Sequence, residues 1–377
     1  MSAKAGSVLI SCGEPSGENY ASELAHQLKI ERPEVRLVGI GGSRLNEQVE
    51  QIWAGLDELS VMGFAEVIRH LPRLRRLRER IAERAREEGV DLLLAVDYPG
   101  FHLSLAGAMK KRGIKTLHYI PPKTWSWGAW RNRALRASVH RCAVIFPFEE
   151  NYYREHGIDA TFVGHPLLDQ HAAVLESGAA RREGLLLIPG SRPQEIRRIG
   201  PSMAQAACRL RAEGAVNRVR VSRAPGLPRG LLAEMTQLCP ELELVEGPLI
   251  QHLISSELAI VCSGTASVET ALSRTPHVIV YRTSRLTYAV ARQLATVQAI
   301  GMSNIVLGRT AFPEFLQKEL HPESLVAAMR QLLDPKSAAR AEQERAFDEL
   351  FKCLGKGEGA ARNVARMALQ ILDEKPV

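Results

Sequence analysis

Four short loops in this 377-residue chain carry residue types suited to chemistry on a phosphorylated, hydroxyl-rich ligand. Ala95-Val96-Asp97-Tyr98-Pro99-Gly100-Phe101 puts a carboxylate at the end of an apolar run that reads as a buried parallel strand. A carboxylate partly withdrawn from water has its pKa raised, and beside a sugar hydroxyl it can take the proton as the oxygen attacks. Asp97 equally fits as the cap of a helix beginning near Phe101. Glu14 is the competing carboxylate, so the base is Asp97 or Glu14. Glu14 lies in Cys12-Gly13-Glu14-Pro15-Ser16-Gly17-Glu18, a glycine-bounded turn that leads into a helix and brings backbone N–H groups near a ligand. Ser16, Gly17 and Glu18 are its candidate site residues.

The other two loops lie in the carboxyl-terminal half. Ile188-Pro189-Gly190-Ser191-Arg192 follows an apolar run and precedes a helical pattern, so the backbone at Gly190 and Ser191 and the Arg192 guanidinium suit a pyrophosphate. Cys262-Ser263-Gly264-Thr265-Ala266-Ser267-Val268-Glu269 repeats the arrangement. Ser263, the Gly264 backbone and Thr265 are further phosphate donors or helix caps, and Glu269, one turn into the helix, is placed to accept from ribose hydroxyls. Two anion-ready loops in one domain are more specific than either alone.

Loops of this kind need strands to position them. Short aliphatic runs alternate with amphipathic stretches, the pattern of βαβ units and parallel sheets. The first series predicts strands at Val8–Ser11, Val35–Val38, Leu92–Val96, Thr116–Tyr119, Val144–Phe146 and Thr161–Val163. The second predicts them at Leu185–Ile188, Val216–Val221, Leu242–Val245, Leu258–Val261 and Val278–Tyr281. The fold class is therefore α/β, with two Rossmann-like doubly wound domains whose βα loops face a cleft. A seam near Gly164 to Gly184, read as a connection without a strand, sets the domains at 1–167 and 168–354. A helix at about 355–377 is a candidate to pack back on the first domain.

Composition narrows the partners. With 45% hydrophobic and 24% charged residues and no apolar run near the roughly 20 residues of a membrane span, the chain reads as globular and not membrane-crossing. Its N-terminus reads as a first strand, with no signal-peptide pattern. Six scattered cysteines, without a C-x-x-C pair or zinc-ligand spacing, predict reduced thiols and no metal site. The net charge of +7 points to an anionic partner. No nucleic-acid motif is present, so phosphorylated ligands and lipid are favoured over nucleic acid. Trp125, Trp127 and Trp130 are suited to stacking on a sugar, to a lipid interface, or to packing. Phe64, Ile68, Leu71, Leu74, Leu77 and Ile81 recur at helical spacing between arginines; such a stripe is usually core, and its basic flanks also fit an interfacial helix on anionic lipid.

Taken in order, GEPSGE, GIGGSR, LSVMGFAEV, AVDYPGF, the WSW segment, FPFEENYY, FVGHPLLD, IPGSR, SGTASVETAL and YRTSRLTY make the chain resemble the lipid-A-disaccharide synthase family across residues 7–317. The resemblance implies the two-domain GT-B glycosyltransferase fold, with the donor nucleotide held mainly by the second domain. It implies transfer of 2,3-diacylglucosamine from its UDP derivative to the 6-hydroxyl of 2,3-diacylglucosamine 1-phosphate, with inversion, release of UDP and no cofactor or metal. Asp97 matches the family's base position. Gly190, Ser191, Arg192, Ser263, Gly264, Thr265 and Glu269 fall where it places UDP, and Asn304 matches a polar position in the same cleft. Ser16, Gly17 and Glu18 fall on the acceptor side. Acylated substrates imply peripheral attachment to the cytoplasmic face of the inner membrane, with Phe64, Ile68, Leu71 and Leu74 as candidate contacts; a homodimer is a further expectation. Glu18 stands where the family usually has Asp, and Pro121-Pro122-Lys123-Thr124-Trp125-Ser126-Trp127 where it has Ser-Pro-Ser-Val-Trp-Ala-Trp. These departures keep three alternatives in view: a GT-B transferase with another acceptor, a UDP-sugar 2-epimerase, and a non-catalytic nucleotide-sugar or lipid-binding protein.

Overall fold

The computed structural model describes residues 6–59, 64–177, 182–284, 288, 299–355 and 359–374, without the side chains of residues 15, 16, 64–71 and 177. The chain divides into two compact units, Met1–Asp169 with Leu354–Val377, and Gln170–Cys353. Among the described residues each unit carries one sheet, and every strand pair in it is parallel.

In the first unit the strands are β1 (Ser7–Cys12), β2 (Arg36–Ile40), β3 (Gln51–Ala54), β4 (Leu92–Val96), β5 (Lys115–Tyr119), β6 (Arg141–Val144) and β7 (Ala160–Phe162), in the order β3-β2-β1-β4-β5-β6-β7. In the second they are β8 (Leu185–Ile188), β9 (Val219–Ser222), β10 (Glu243–Val245), β11 (Leu258–Cys262), β12 (His277–Tyr281) and β13 (Glu314–Leu316), in the order β10-β9-β8-β11-β12-β13. Both orders reverse direction once, between β1 and β4 and between β8 and β11. In open α/β sheets, ligands bind outside the carboxyl ends of strands at such a switch point. These four strands are buried along their whole length, as strands covered on both faces must be.

The helices begin where the loops demand. Proline starts the helices Pro15–Glu31, Pro99–Lys110, Pro147–Glu155, Pro193–Ala212 and Pro322–Leu333, where its fixed φ is pre-set and its missing N–H is no loss. Pro147 also explains why β6 ends at Val144 and not at Phe146: Phe146 is already the N-cap of the next helix. The segment read as a strandless connection forms the helix Pro166–Ser177. Two strands escape the aliphatic-run criterion, β3 (QIWA) and β13 (EFL), both short edge strands with few branched side chains.

Leu77, Ile81, Ala82 and Ala85 of the helix Phe64–Glu87 pack with Phe101, Leu105 and Met109 against one face of the first sheet. The last helix, Ala360–Asp373, lies against Pro15–Glu31 in the same unit, tied by ion pairs from Arg32 to Asp373 at 2.7 Å and from Arg362 to Glu31 at 2.6 Å.

Candidate active site

Cys12 pairs with Val96 at the ends of β1 and β4, so the CGEPSGE and VDYPG loops leave the first sheet side by side at its switch point. Asp97 and Tyr98 both take left-handed backbone conformations, φ +52° and +49°. Residues with a β-carbon pay for that region unless their surroundings impose it. Here the Asp97 N–H donates to Tyr119 O at 2.8 Å, and His102 Nδ1 lies 2.5 Å from Asp97 O. A carbonyl can only accept, so Nδ1 carries the proton and Nε2 accepts from the Ser11 hydroxyl at 2.8 Å. Burial drives His102 down to about 4, consistent with a neutral ring. Tyr98 donates its hydroxyl to Leu59 O at 2.8 Å, and its ring lies so close to Gly13 that a β-carbon there would sit 2.2 Å from it.

Burial holds the Asp97 carboxyl above its ordinary range, while the Tyr98 N–H and the Lys123 ammonium pull it partly back. The helix that follows Glu14 passes close by, because a β-carbon on Gly17 would be 3.9 Å from Asp97 Cβ. Glu14 itself is exposed at the N-cap of that helix without a side-chain capping bond, and it adds to the burial that raises the Tyr98 phenol. The side chain of Ser16 lies outside the described residues.

Glu18 turns into the fold instead of towards a ligand. It is 7% exposed, and Oε1 accepts from the N–H groups of Arg44 at 2.9 Å and Leu45 at 3.3 Å, capping the short helix Ser43–Asn46. A β-carbon on Gly42 would lie 2.7 Å from the carboxylate, so GEPSGE and GIGGSR are two halves of one contact.

In the second unit the IPGSR and CSGTAS loops follow β8 and β11, again flanking a switch point. Gly190 has φ +95°, and a β-carbon there would be 3.2 Å from Cys262 Sγ, so the two loops touch and only glycine fits the turn. Arg192 is the N-cap of Pro193–Ala212; its side chain is 79% exposed and meets Glu195 at 3.1 Å. The Ser263 hydroxyl donates to Ile300 O at 2.8 Å and keeps its lone pairs. Gly264, at φ +151°, is the N-cap of Thr265–Leu272, and Thr265 is exposed beside it. Two helix N-termini and a guanidinium thus surround the loop ends with donors and positive potential, an arrangement fitted to a pyrophosphate.

Glu269 faces a partner that sequence reading misses. His171 Nε2 is 3.1 Å from its Oε1, both side chains being 14% exposed, and His171 lies in the segment read as a connection without a strand. Asn304 is fully buried and spent within the fold: Nδ2 donates to Phe312 O and Glu314 Oε1, each at 2.8 Å, and Oδ1 accepts from Ala311 N and Phe312 N, each at 3.0 Å. That is an amide's full complement of hydrogen bonds, so Asn304 holds Glu314 and has no donor left for a nucleotide. Glu314 in turn accepts from Ile300 N and Gly301 N, each at 2.9 Å, fixing the loop that Ser263 reaches.

Of the candidate lipid contacts, the side chains of Phe64, Ile68 and Leu71 lie outside the described residues. Leu74 is only partly buried but packs against the core of the first unit, and Leu77 and Ile81 are core; this later part of the stripe faces the sheet because its spacing continues the helix's inner face. Trp125 is buried and donates to Glu149 at 2.8 Å, whereas Trp127 and Trp130 are 53% and 68% exposed. Among the described residues no cluster of His, Cys, Asp and Glu is fit to hold a metal ion, and no helix is long and apolar enough to cross a membrane.

Comparison with known proteins agrees with this layout. The lipid-A-disaccharide synthetase family model matches residues 8–370. The chain is 37% identical to a lipid-A-disaccharide synthase of Myxococcus xanthus, with 97% of each chain covered. Among solved structures it is similar to a UDP-GlcNAc 2-epimerase from Neisseria meningitidis bound to UDP-GlcNAc, at TM-score 0.62 and 10% identity over 97% of this chain and 99% of that one. It is also similar to MurG of Acinetobacter baumannii, at TM-score 0.58 and 13% identity over 97% and 99%. At such identities the structures speak to the fold alone, the two-domain GT-B architecture.

Proposed function

The chain belongs to the lipid-A-disaccharide synthetase family and is a glycosyltransferase, and from that premise we propose that it moves 2,3-diacylglucosamine from UDP-2,3-diacylglucosamine to the 6-hydroxyl of 2,3-diacylglucosamine 1-phosphate. The observation that carries the reading is Asp97: a carboxylate raised by burial, on a turn held in a costly conformation at the switch point of its sheet. A carboxylate so placed takes the proton from the acceptor hydroxyl while its oxygen bonds to the anomeric carbon and the bond to UDP breaks. One displacement inverts the anomeric centre and needs no covalent enzyme intermediate. Glu14, the competing carboxylate, is exposed where Asp97 is withdrawn from water.

The leaving UDP carries charge that grows as the bond breaks. The Gly190–Arg192 and Ser263–Thr265 loops, with their helix N-termini, are suited to neutralise it, and the exposed Arg192 guanidinium adds a positive charge at the first of them. Glu269, 3.1 Å from His171 Nε2, is the candidate for the ribose hydroxyls. Both substrates are acylated, so the enzyme works at the membrane surface, on the cytoplasmic face of the inner membrane.

The test is a detergent-micelle assay with both substrates, following UDP release and the disaccharide by mass spectrometry. Asp97→Asn is expected to lower turnover by about a hundredfold or more while leaving UDP affinity within about twofold. Unchanged turnover in this variant would falsify the assignment of the base; UDP binding without any product in the native protein would instead support a different acceptor or a binding protein.

A further inference from the structure

We propose that Trp127 and Trp130, with Arg131 and Arg133, form an interfacial anchor that seats the edge of the first sheet bearing Asp97 on an anionic phospholipid surface. The inference rests on the acylated-substrate reading above and adds the residues that hold the enzyme to its substrates' membrane.

The segment 123–138 contains three tryptophans in two very different settings. Trp125 goes inward to Glu149, with its ring edge-on to Phe148 at 4.9 Å. Trp127 and Trp130 point out, 5.9 Å apart in an edge-to-face pair, with the Arg131 guanidinium 4.8 Å from the first ring and 5.9 Å from the second. Their exposure is not that of a slack loop. Thr124 donates to Asn132 at 2.6 Å, Tyr153 donates to Pro122 O, and the buried Trp125–Glu149 bond pins the middle. A segment held this firmly, yet presenting two indoles to solvent, is built to meet a surface that suits indole.

Charge identifies that surface. Lys123, Arg131, Arg133 and Arg136 lie within residues 123–138, and the same stretch has no Asp or Glu. Indole is most stable at the headgroup level of a bilayer, its ring against the acyl boundary and its N–H in the wet layer, and neighbouring arginines are drawn to anionic headgroups. The position suits the chemistry as well. The segment follows β5, which pairs with β4 all along its length, so it leaves the same carboxyl edge as Asp97. Lys123 is near enough to act on the Asp97 carboxyl. Anchored there, the enzyme can take a sugar whose acyl chains remain in the bilayer.

The test uses the full chain with vesicles of phosphatidylethanolamine and phosphatidylglycerol, and with vesicles of phosphatidylcholine alone. The chain has four tryptophans, and Trp53 and Trp125 are buried, so emission changes on binding report on the exposed pair. Quenching by brominated acyl chains is expected, and W127S/W130S is expected to weaken vesicle partitioning by about tenfold or more at an unchanged thermal midpoint. R131S/R133S is expected to weaken it only on the anionic vesicles. Partitioning of W127S/W130S within about twofold of the native protein, or native tryptophans that lipid bromines fail to quench, overturns the anchor. Product formation in micelles is read separately. A protein that forms disaccharide without tryptophan quenching keeps its function and loses the anchor, and one that is quenched but forms no product keeps the anchor and loses the transferase reading.

Discussion

Replacing Asn304 with alanine separates holding the fold from holding the nucleotide. The substitution removes four hydrogen bonds from a side chain with no solvent exposure. Each contributes roughly 1 kcal/mol net, and the N–H groups of Ala311 and Phe312 are left without their acceptor, so the expected loss is about 3–5 kcal/mol. Against a typical total of about 5–15 kcal/mol, this shifts a urea midpoint far outside error. The assay is urea unfolding followed by circular dichroism, paired with UDP titration by calorimetry well below the midpoint. If Asn304 acts only by positioning Glu314 and the Ser263 loop, protein that remains folded binds UDP within about threefold of native affinity, since apparent affinity falls only with the competent fraction. Asn304→Asp sharpens the case: it keeps the acceptor for the two N–H groups but sets a carboxylate against Glu314 where a donor lay 2.8 Å away. Its destabilisation should therefore shrink as pH falls and one of the two carboxylates takes a proton. Native unfolding behaviour in Asn304→Ala, together with a tenfold or greater loss of UDP affinity, would refute the reasoning and return Asn304 to the nucleotide.

Other expectations follow from the same contacts. Glu18→Ala leaves the Arg44 and Leu45 N–H groups uncapped and should cost about 1–3 kcal/mol in denaturant unfolding; a loss below about 0.5 kcal/mol would mean water replaces the cap at no cost. Gly13→Ala puts a β-carbon 2.2 Å from the Tyr98 ring, so transfer activity should fall with little change in UDP affinity, and a fully active variant would show that Tyr98 can move. Asp97→Asn should raise the thermal midpoint at pH 7 while it removes activity. A carboxyl raised by burial stabilises the fold below its unfolded pKa and loses that contribution as pH rises through its folded value, so the ionised Asp97 is a cost that the amide lacks. The histidines act in the opposite direction. Burial lowers His102 and His277 to about 4 and His118 to about 3, so the unfolded chain takes up protons before the fold does. Stability should fall as pH drops from about 6.5 towards 4, by about 1.4 kcal/mol per pH unit for each histidine, and His102→Asn should remove one share of the slope. An unchanged slope would place the His102 pKa near its ordinary value.

The loops were readable because they are punctuated. The most aliphatic runs in the chain, such as Leu92–Val96 and Leu258–Cys262, are the central strands buried on both faces, and the Gly and Pro after them mark the turns at the switch points. Edge strands β3 and β13 need no such run, since one side meets solvent or a helix, and they left no signal. The supports of the loops were equally hidden. Ser11 and His102 are 91 residues apart, and Asn304 and Glu314 are joined by a bond that no local pattern announces. Glu18 looked like a ligand-facing carboxylate because a capping acid and a binding acid are the same residue type in the same kind of turn; only the N–H groups of Arg44 and Leu45 tell them apart.

That division has a physical origin. A reacting group must stand where strands end, and strand ends are visible in sequence because burial demands aliphatic runs and chain reversal demands glycine or proline. The groups that make the reacting residue tolerate its position come from anywhere that folding brings near. Asp97 shows both halves: its place after Val96 is local information, but two successive left-handed residues are held by distant groups, Tyr119 O and Leu59 O accepting from the turn, His102 donating to Asp97 O, and the bare face of Gly13 making room for the Tyr98 ring. The site is therefore more fragile to substitutions around Asp97 than its short motif suggests, and Gly13, which has no side chain to react, is as necessary to the turn as the carboxylate is to the proton transfer.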